Sequence, residues 1–236
     1  MLRGLALSGL WAVHILDGIL AWPWLLGGGV LAALLCWLGL SRLGEEEIPR
    51  IAVLSSAFFV ATLIHVPTPL PTSIHLLLNG LVGIILGPRS AVAILLALFL
   101  QALLLGHGGL TTLGVNACIM TIPALAAWAA FSWVRNRHGL ATTWSRWLTG
   151  FLIGGATVLF TALLNSLTLW LGSSDTLEFL AWVVFVGHLP VAFAEAVIMG
   201  ATVVFLGKVK PEMLGLKAPP QAPPVQQPAR AERQAG

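Results

Sequence analysis

Charge is what this chain has least of. Asp, Glu, Lys and Arg together make up 9% of its 236 residues, too few to clothe a soluble globular domain in solvated side chains. Cysteine is almost missing as well. Cys36 and Cys118 both lie within apolar runs, which excludes a disulfide framework or a CxxC metal clip and leaves them as small buried hydrophobes. Three catalytic signatures are also absent: there is no HExxH zinc-protease helix, no GxSxG elbow and no GxxxxGK[ST] phosphate loop.

What the chain does have is hydrocarbon. It is 58% hydrophobic with a mean hydropathy of +0.93, and its apolar stretches are separated by short polar punctuation. These properties predict an all-α integral membrane protein with one membrane domain. Seven apolar segments stand out, at about 22–42, 51–66, 75–87, 89–106, 112–134, 147–172 and 178–206. The third is short for a full crossing and reads as a tilted or broken helix, which is tolerated where its backbone is buried in protein.

Lys and Arg test that division. Arg42 and Arg50 flank the first connection, Arg89 marks the third, Arg135, Arg137 and Arg146 fill the fifth, and Lys208 and Lys210 follow the last segment. The second, fourth and sixth connections, near Pro67–Ser73, Gly106–Thr111 and Gly172–Thr176, carry none. By the positive-inside rule the amino end is outside, the carboxyl end is cytoplasmic and the number of crossings is odd. The small net charge of +3 sits in loops and tail and fits membrane orientation better than nucleic-acid affinity. Residues 210–236, rich in Pro, Ala and Gln, read as a disordered cytoplasmic tail. Gly27–Gly29 and Gly154–Ala156 are small enough for close helix contact in lipid.

With this topology His14, His65, His75 and His107 all fall at or near the outer face, at the ends of different segments. A single membrane histidine reads equally well as an interfacial residue bonded to a carbonyl. Four on one side favour a site for a cation that likes imidazole, such as Ni(II), Co(II) or Zn(II), over a hard ion. His138 falls in the arginine-bearing connection and reads as solvated. Asp17 and Gly18 form a turn signal, and the better reading of Asp17 is that it shapes that turn or caps nearby amides. The stretch "HVPTPLPTSIH" has three prolines between His65 and His75 and predicts a stiff outer loop. Asn116 is a polar residue placed to bond across helices. In "GHLPVAFAEAVI", His188 and Glu195 are seven residues apart and on roughly one helical face, with Pro190 between them as a kink. A glutamate at membrane depth suggests function, and a hydrogen-bonded Glu195 tying helices together is an equal reading.

Taken in order, "VHILDGIL", "PTSIHLLLNGLVGIILGPRSAV", "LLLGHGGLTTLGVNACIM", "GHLPVAFAEAVIMG" and "KVKPEML" resemble the CbiM/NikM family over about residues 13–215. These are the substrate-capture components of energy-coupling factor transporters for cobalt and nickel. The resemblance implies a seven-helix fold in the inner (cytoplasmic) membrane, no catalysis or cofactor of its own, and capture of Co(II) or Ni(II) as substrate at the outer face. It also implies a CbiQ-like coupling subunit, CbiO-like ATPases and a small CbiN-like subunit as partners. The ligands it implies are four nitrogens in a near-planar set: a terminal amine, the amide nitrogen and imidazole of the following histidine, and a second imidazole from the "TSxH" block. On this sequence the amine is that of Val13, the chelating histidine is His14 and the second imidazole is His75. His107 and Asn116 become supports, with Asp17, His65, His188 and Glu195 as further supporting or structural residues.

Family members usually begin Met-His, whereas here Met1–Ala12 precede Val13. Three explanations stay open: translation from a GUG codon at Val13, removal of "MLRGLALSGLWA" as an abbreviated signal-like segment, or an extension that persists and changes the ligands. The expected division is an extension at 1–12, a metal-capture domain at 13–209 and a tail at 210–236. The alternatives from other classes are a stand-alone ion-coupled metal permease with Glu195 as its relay, or a membrane hydrolase using the histidines and Glu195.

Overall fold

The computed structural model describes residues 14–41, 43–63, 65–67, 73–173 and 178–216. Within them the chain forms α1 (Trp22–Leu40), α2 (Ile48–Leu63), α3 (Asn79–Leu86), α4 (Ser90–Leu105), α5 (Leu113–His138), α6 (Thr143–Gly172) and α7 (Glu178–Val209). Five stretches are long and apolar enough to cross a bilayer: α1, residues 79–105 spanning α3 and α4, α5, α6, and residues 181–209 of α7. The seven expected segments each correspond to one helix. Several boundaries move: the second segment runs from Ile48 to Leu63 rather than 51 to 66, the third starts at Asn79 rather than 75, the fifth runs on to His138 and the sixth starts at Thr143, so that the arginine-bearing connection is only a short turn before Thr142 caps α6. The all-α expectation gains one exception. His65–Pro67 (β1) and Ser73–His75 (β2) form an antiparallel hairpin that pairs His65 with His75.

Lipid-facing and protein-facing surfaces separate by helix. In α1 only Ala32 and Gly39 are buried, while in α3 and α4 most residues are, with Ala93, Ile94 and Ala97 wholly enclosed. In a bilayer an exposed apolar surface is solvated by acyl chains, so the many exposed Leu, Val, Phe and Trp side chains cost nothing. Exposed tryptophans mark both ends: Trp22, Trp170 and Trp182 near one, Trp37, Trp133 and Trp144 near the other. That is the interfacial aromatic distribution of a spanning protein.

Small residues set the helix spacing. A Cβ on Gly150 would lie 2.9 Å from the Gly200 Cα, and one on Gly154 2.9 Å from the Met199 Cβ, so α6 and α7 pack backbone to backbone through a GxxxG face. Gly28 and Gly114 do the same between α1 and α5, as the Gly27–Gly29 run suggested. Gly83 of α3 rests against the Ala124 carbonyl of α5.

The short third segment is half of a V. Helix α3 leaves from beside His75, turns through a 3-10 turn at Gly87–Arg89, and passes into α4, whose following loop returns to His14: a Cβ on Gly108 would be 3.1 Å from the His14 Cβ. Because His14 and His75 are neighbours, the two arms reverse direction and 79–105 is not one straight crossing. At the turn, Arg89 pairs with Glu47 at 2.6 Å.

The carboxyl end requires a correction. The expected tail from 210 onward begins too early, because Pro211–Leu214 forms a packed 3-10 turn. Leu214, 1% exposed, inserts among Phe131, Leu140 and Val203, and Arg135 Nη1 donates to its carbonyl oxygen at 3.0 Å. The apolar side chain outweighs the helix-breaking Pro-rich composition here. Residues 217–236 lie outside the described set.

Close contact between α3 and α5 makes a specific prediction. Gly83→Val overpacks that contact and lowers stability by roughly 1–3 kcal/mol, seen as a lower thermal midpoint in detergent, whereas Gly27→Ala, with open space around it, leaves the midpoint unchanged.

Candidate metal centre

The chain before α1 is the part that most needs anchoring, since residues 14–21 are not helical yet His14, Ile15 and Leu20 are buried. Peptide groups there must find partners in protein. Asn116, on the first turn of α5, supplies them. Its Oδ1 accepts from the Ile15 N–H at 3.0 Å and its Nδ2 donates to the Ile15 carbonyl at 2.9 Å, so the side-chain amide acts as one more strand partner. The Thr112 hydroxyl adds a second bond to that carbonyl at 2.6 Å. Asp17 secures the other side: its carboxylate accepts from the backbone of Leu110, Thr111 and Thr112 and from the Thr111 hydroxyl. Partial desolvation works against the charge of Asp17, and these four donors more than offset it, holding its carboxyl below the usual range. The turn-and-cap reading of Asp17 therefore holds, with the start of α5 as the element capped. At Gly108 the backbone has φ +74° and lies against His14 and Asn116, so the Gly-rich loop wraps the segment where a side chain would push it away.

His75 is positioned from the opposite side. It ends β2, and the peptide nitrogens two and three residues on, those of Leu77 and Leu78, donate to the Glu195 carboxylate of α7, with Leu78 at 3.0 and 3.1 Å. Glu195 thus caps α3 from another helix, which is the tying role read from the sequence. Leu78 itself has φ +48°, the left-handed region, a conformation this cap holds in place. Asn79 continues the anchorage by donating to the Met120 carbonyl at 3.0 Å and to the Thr161 hydroxyl at 2.9 Å.

These two anchored segments bring the His14 and His75 rings to 5.4 Å between centroids, tilted by 44°, with both residues buried. A metal held at about 2 Å by a nitrogen of each ring fits between rings so spaced. His75 Nδ1 lies 3.0 Å from the Leu76 carbonyl. A carbonyl only accepts, so Nδ1 carries the proton and Nε2 the lone pair. Burial pushes the His14 imidazole down to about 3, helped by the nearby His75, His107 and His188 and opposed by Gln101.

Of the remaining candidates, His107 is half-buried on the loop after α4, close enough to act on the charge of His14. His65 is paired by backbone with His75, and its side chain is outside the described set. His188 is buried, donates from Nδ1 to the Val184 carbonyl at 2.6 Å, and lines with His14, Asn116 and Asn165 a cavity of about 10 Å³. His188 and Glu195 share the buried face of α7 but serve different neighbours. His138 is exposed against Trp133. Val13 lies outside the described residues. Among those described, no three His, Cys, Asp or Glu side chains gather into a metal-holding group. Sequence reading missed Gln101, 1% exposed, and Asn79, fully buried; the available signal was an amide inside an apolar run.

Residues 14–213 match the family described as CbiM, the cobalt uptake substrate-specific transmembrane region. This chain belongs to the CbiM family. As a CbiM-family chain it is a multi-pass membrane transport protein. Among its relatives, a Haemophilus influenzae protein described as "Putative metal transport protein" is 38% identical over 202 residues, covering 86% of this chain and 97% of that one. The cobalt transport protein CbiM of Roseiflexus sp. is 34% identical over 175 residues, 70% of this chain and 67% of that one. Two crystal structures share the fold at 26% identity. One, of a truncated transition metal transporter, has a TM-score of 0.64 over 82% of this chain and 97% of the other; the second, of a transition metal transporter, has 0.66 over 83% and 93%.

Two outcomes follow from the clamp and the buried imidazole. Asn116→Leu strands the buried Ile15 N–H and costs about 1–3 kcal/mol, measured by thermal unfolding. The folded His14 holds its proton less tightly than the unfolded one, so its contribution to stability is complete above about pH 6.5 and is lost as pH falls toward about 3. Histidine NMR should show no His14 titration between pH 8 and 5; an inflection near 6.5 contradicts the assignment.

Proposed function

We infer that this chain is the substrate-capture subunit of an energy-coupling factor transporter, taking up Co(II) or Ni(II) at the outer face through an amino-terminal histidine chelate. The observation that carries this reading is the approach of two buried imidazoles, His14 and His75, each fixed by its own hydrogen-bonded clamp. Two imidazoles alone hold a divalent ion weakly. The amide nitrogen of His14 and a terminal amine on Val13 complete a four-nitrogen set, the first three donors closing fused chelate rings. A planar nitrogen field suits Ni(II) or Co(II) better than tetrahedral Zn(II). Relatives named for cobalt transport support cobalt as cargo.

In this reading the amino end faces out and the carboxyl end the cytoplasm of the cell's inner membrane, with seven helical segments and α3 and α4 as a broken pair. Asp17, Asn116 and Glu195 serve by holding backbone. None is left to act as a relay, which disfavours the stand-alone permease and the hydrolase. Energy comes from CbiO-like ATPases through a CbiQ-like coupling subunit, with a CbiN-like small subunit alongside.

Calorimetry with both ions on full-length expressed protein of verified amino terminus tests this. Tight binding is expected, lost in His75→Ala, and weakening as pH falls because the amine must give up its proton; unchanged affinity in His75→Ala overturns the site. Intact mass decides the chelate separately, since a mature chain starting at Met1 rules out the amine. Uptake that proceeds without any ATPase would instead favour the permease.

A further inference from the structure

Among the described residues, His14 Nε2, on a ring 6% exposed as a residue, and Gln101 Oε1, on a side chain 1% exposed, are buried polar atoms near the candidate centre without a hydrogen-bond partner. An orphaned atom at this depth costs free energy, and a donor and an acceptor side by side would cancel that cost. Gln101 is close enough to the His14 ring to raise its proton affinity against the larger effect of burial.

The orientation of the Gln101 amide follows from its other end. Gln101 Nε2 donates to the Thr62 hydroxyl at 2.7 Å. The single proton of that hydroxyl goes to the Phe59 carbonyl at 2.7 Å, so Thr62 can only accept from Gln101. The nitrogen end of the amide therefore faces Thr62, and the oxygen end is left as an acceptor. We propose that Gln101 is a positioning residue for metal capture: its Oε1 takes the Nε2–H of His14, fixing the tautomer that leaves the His14 Nδ1 lone pair for the ion.

The choice of nitrogen matters chemically. Counting from the His14 amide nitrogen through Cα, Cβ and Cγ, Nδ1 closes an unstrained six-membered ring with the metal, and Nε2 does not. A neutral histidine carries its proton on one nitrogen only, so a proton on Nδ1 would have to be moved before chelation. An acceptor dedicated to Nε2 removes that step and makes Nδ1 more basic, as outer partners do for metal-bound histidines generally. A neutral amide does this without adding charge. His75 is arranged the other way round, with Nδ1–H given to Leu76.

This assignment rests on the capture reading, and its test separates the two. Ring-¹⁵N histidine NMR on the metal-free full chain in detergent reports the tautomer directly. Wild type should show His14 as Nε2–H; Gln101→Met should lower that population and weaken Ni(II) affinity in calorimetry about 10- to 100-fold; Gln101→Glu, which keeps an acceptor, should restore the tautomer. His188, locked as Nδ1–H by Val184, serves as the internal control for folding. If Gln101→Met disturbs His188, Thr62→Val decides instead, because it only frees the amide to turn: movement of His14 toward Nδ1–H supports the assignment and no movement refutes it. A wild-type His14 already Nδ1–H, or a Gln101→Met chain with His14 unchanged, overturns the role of Gln101 while leaving capture intact. Wild-type protein that binds neither Ni(II) nor Co(II) refutes capture, and the tautomer data still judge Gln101.

Discussion

A peptide group that leaves a helix inside a bilayer has no water to turn to, and this constraint shapes the functional end of the molecule. Three non-helical stretches meet there: the run before α1, the step from β2 into α3, and the loop between α4 and α5. Side chains satisfy each of them, two on helices and one, Asp17, in the run before α1. Asn116 replaces a strand for Ile15, Glu195 caps Leu77 and Leu78, and Asp17 caps the amides opening α5. The polar residues that seem out of place in a greasy chain are thus partners to backbone that could not otherwise be there.

The same anchors hold the two imidazoles in place. His14 is held through its neighbour Ile15, and His75 through the nearby Leu77 and Leu78 peptides, so the rings are set by backbone rather than by long flexible side chains. The glycine at 108 lets the loop close on His14, and the tilt of the rings reflects two independent supports meeting at one point. Preorganisation of this kind lowers the ordering cost of binding. It also explains why carboxylates stand near the centre without joining it: their oxygens are already occupied by amide protons.

Much of this was legible in the sequence. Apolar run lengths delimited seven segments, and the alternation of Lys and Arg correctly separated α3 from α4 at Arg89 even though 79–105 is apolar enough to be read as one helix. That His14, His75 and His107 lie near one another was visible because they fall at alternate connections. What stayed hidden depends on contacts that no periodicity encodes. Gln101 and Asn79 sit in runs where an amide looks like an exception, and their partners, Thr62 and Thr161, are 39 and 82 residues away. The hairpin at His65–Pro67 was masked by its prolines, and the packed turn at Pro211–Leu214 by the polar composition that follows it.

The broken pair α3 and α4 sets how deep the imidazoles lie. Gln101 stands about 17 Å along α4 from Ser90 at 1.5 Å per residue, in a hydrocarbon layer about 30 Å thick. The shorter arm, α3, has 8 residues and rises about 12 Å against about 24 Å for the 16 residues of α4, so the end of the V that carries His75 is recessed beside the longer arm rather than flush with its rim.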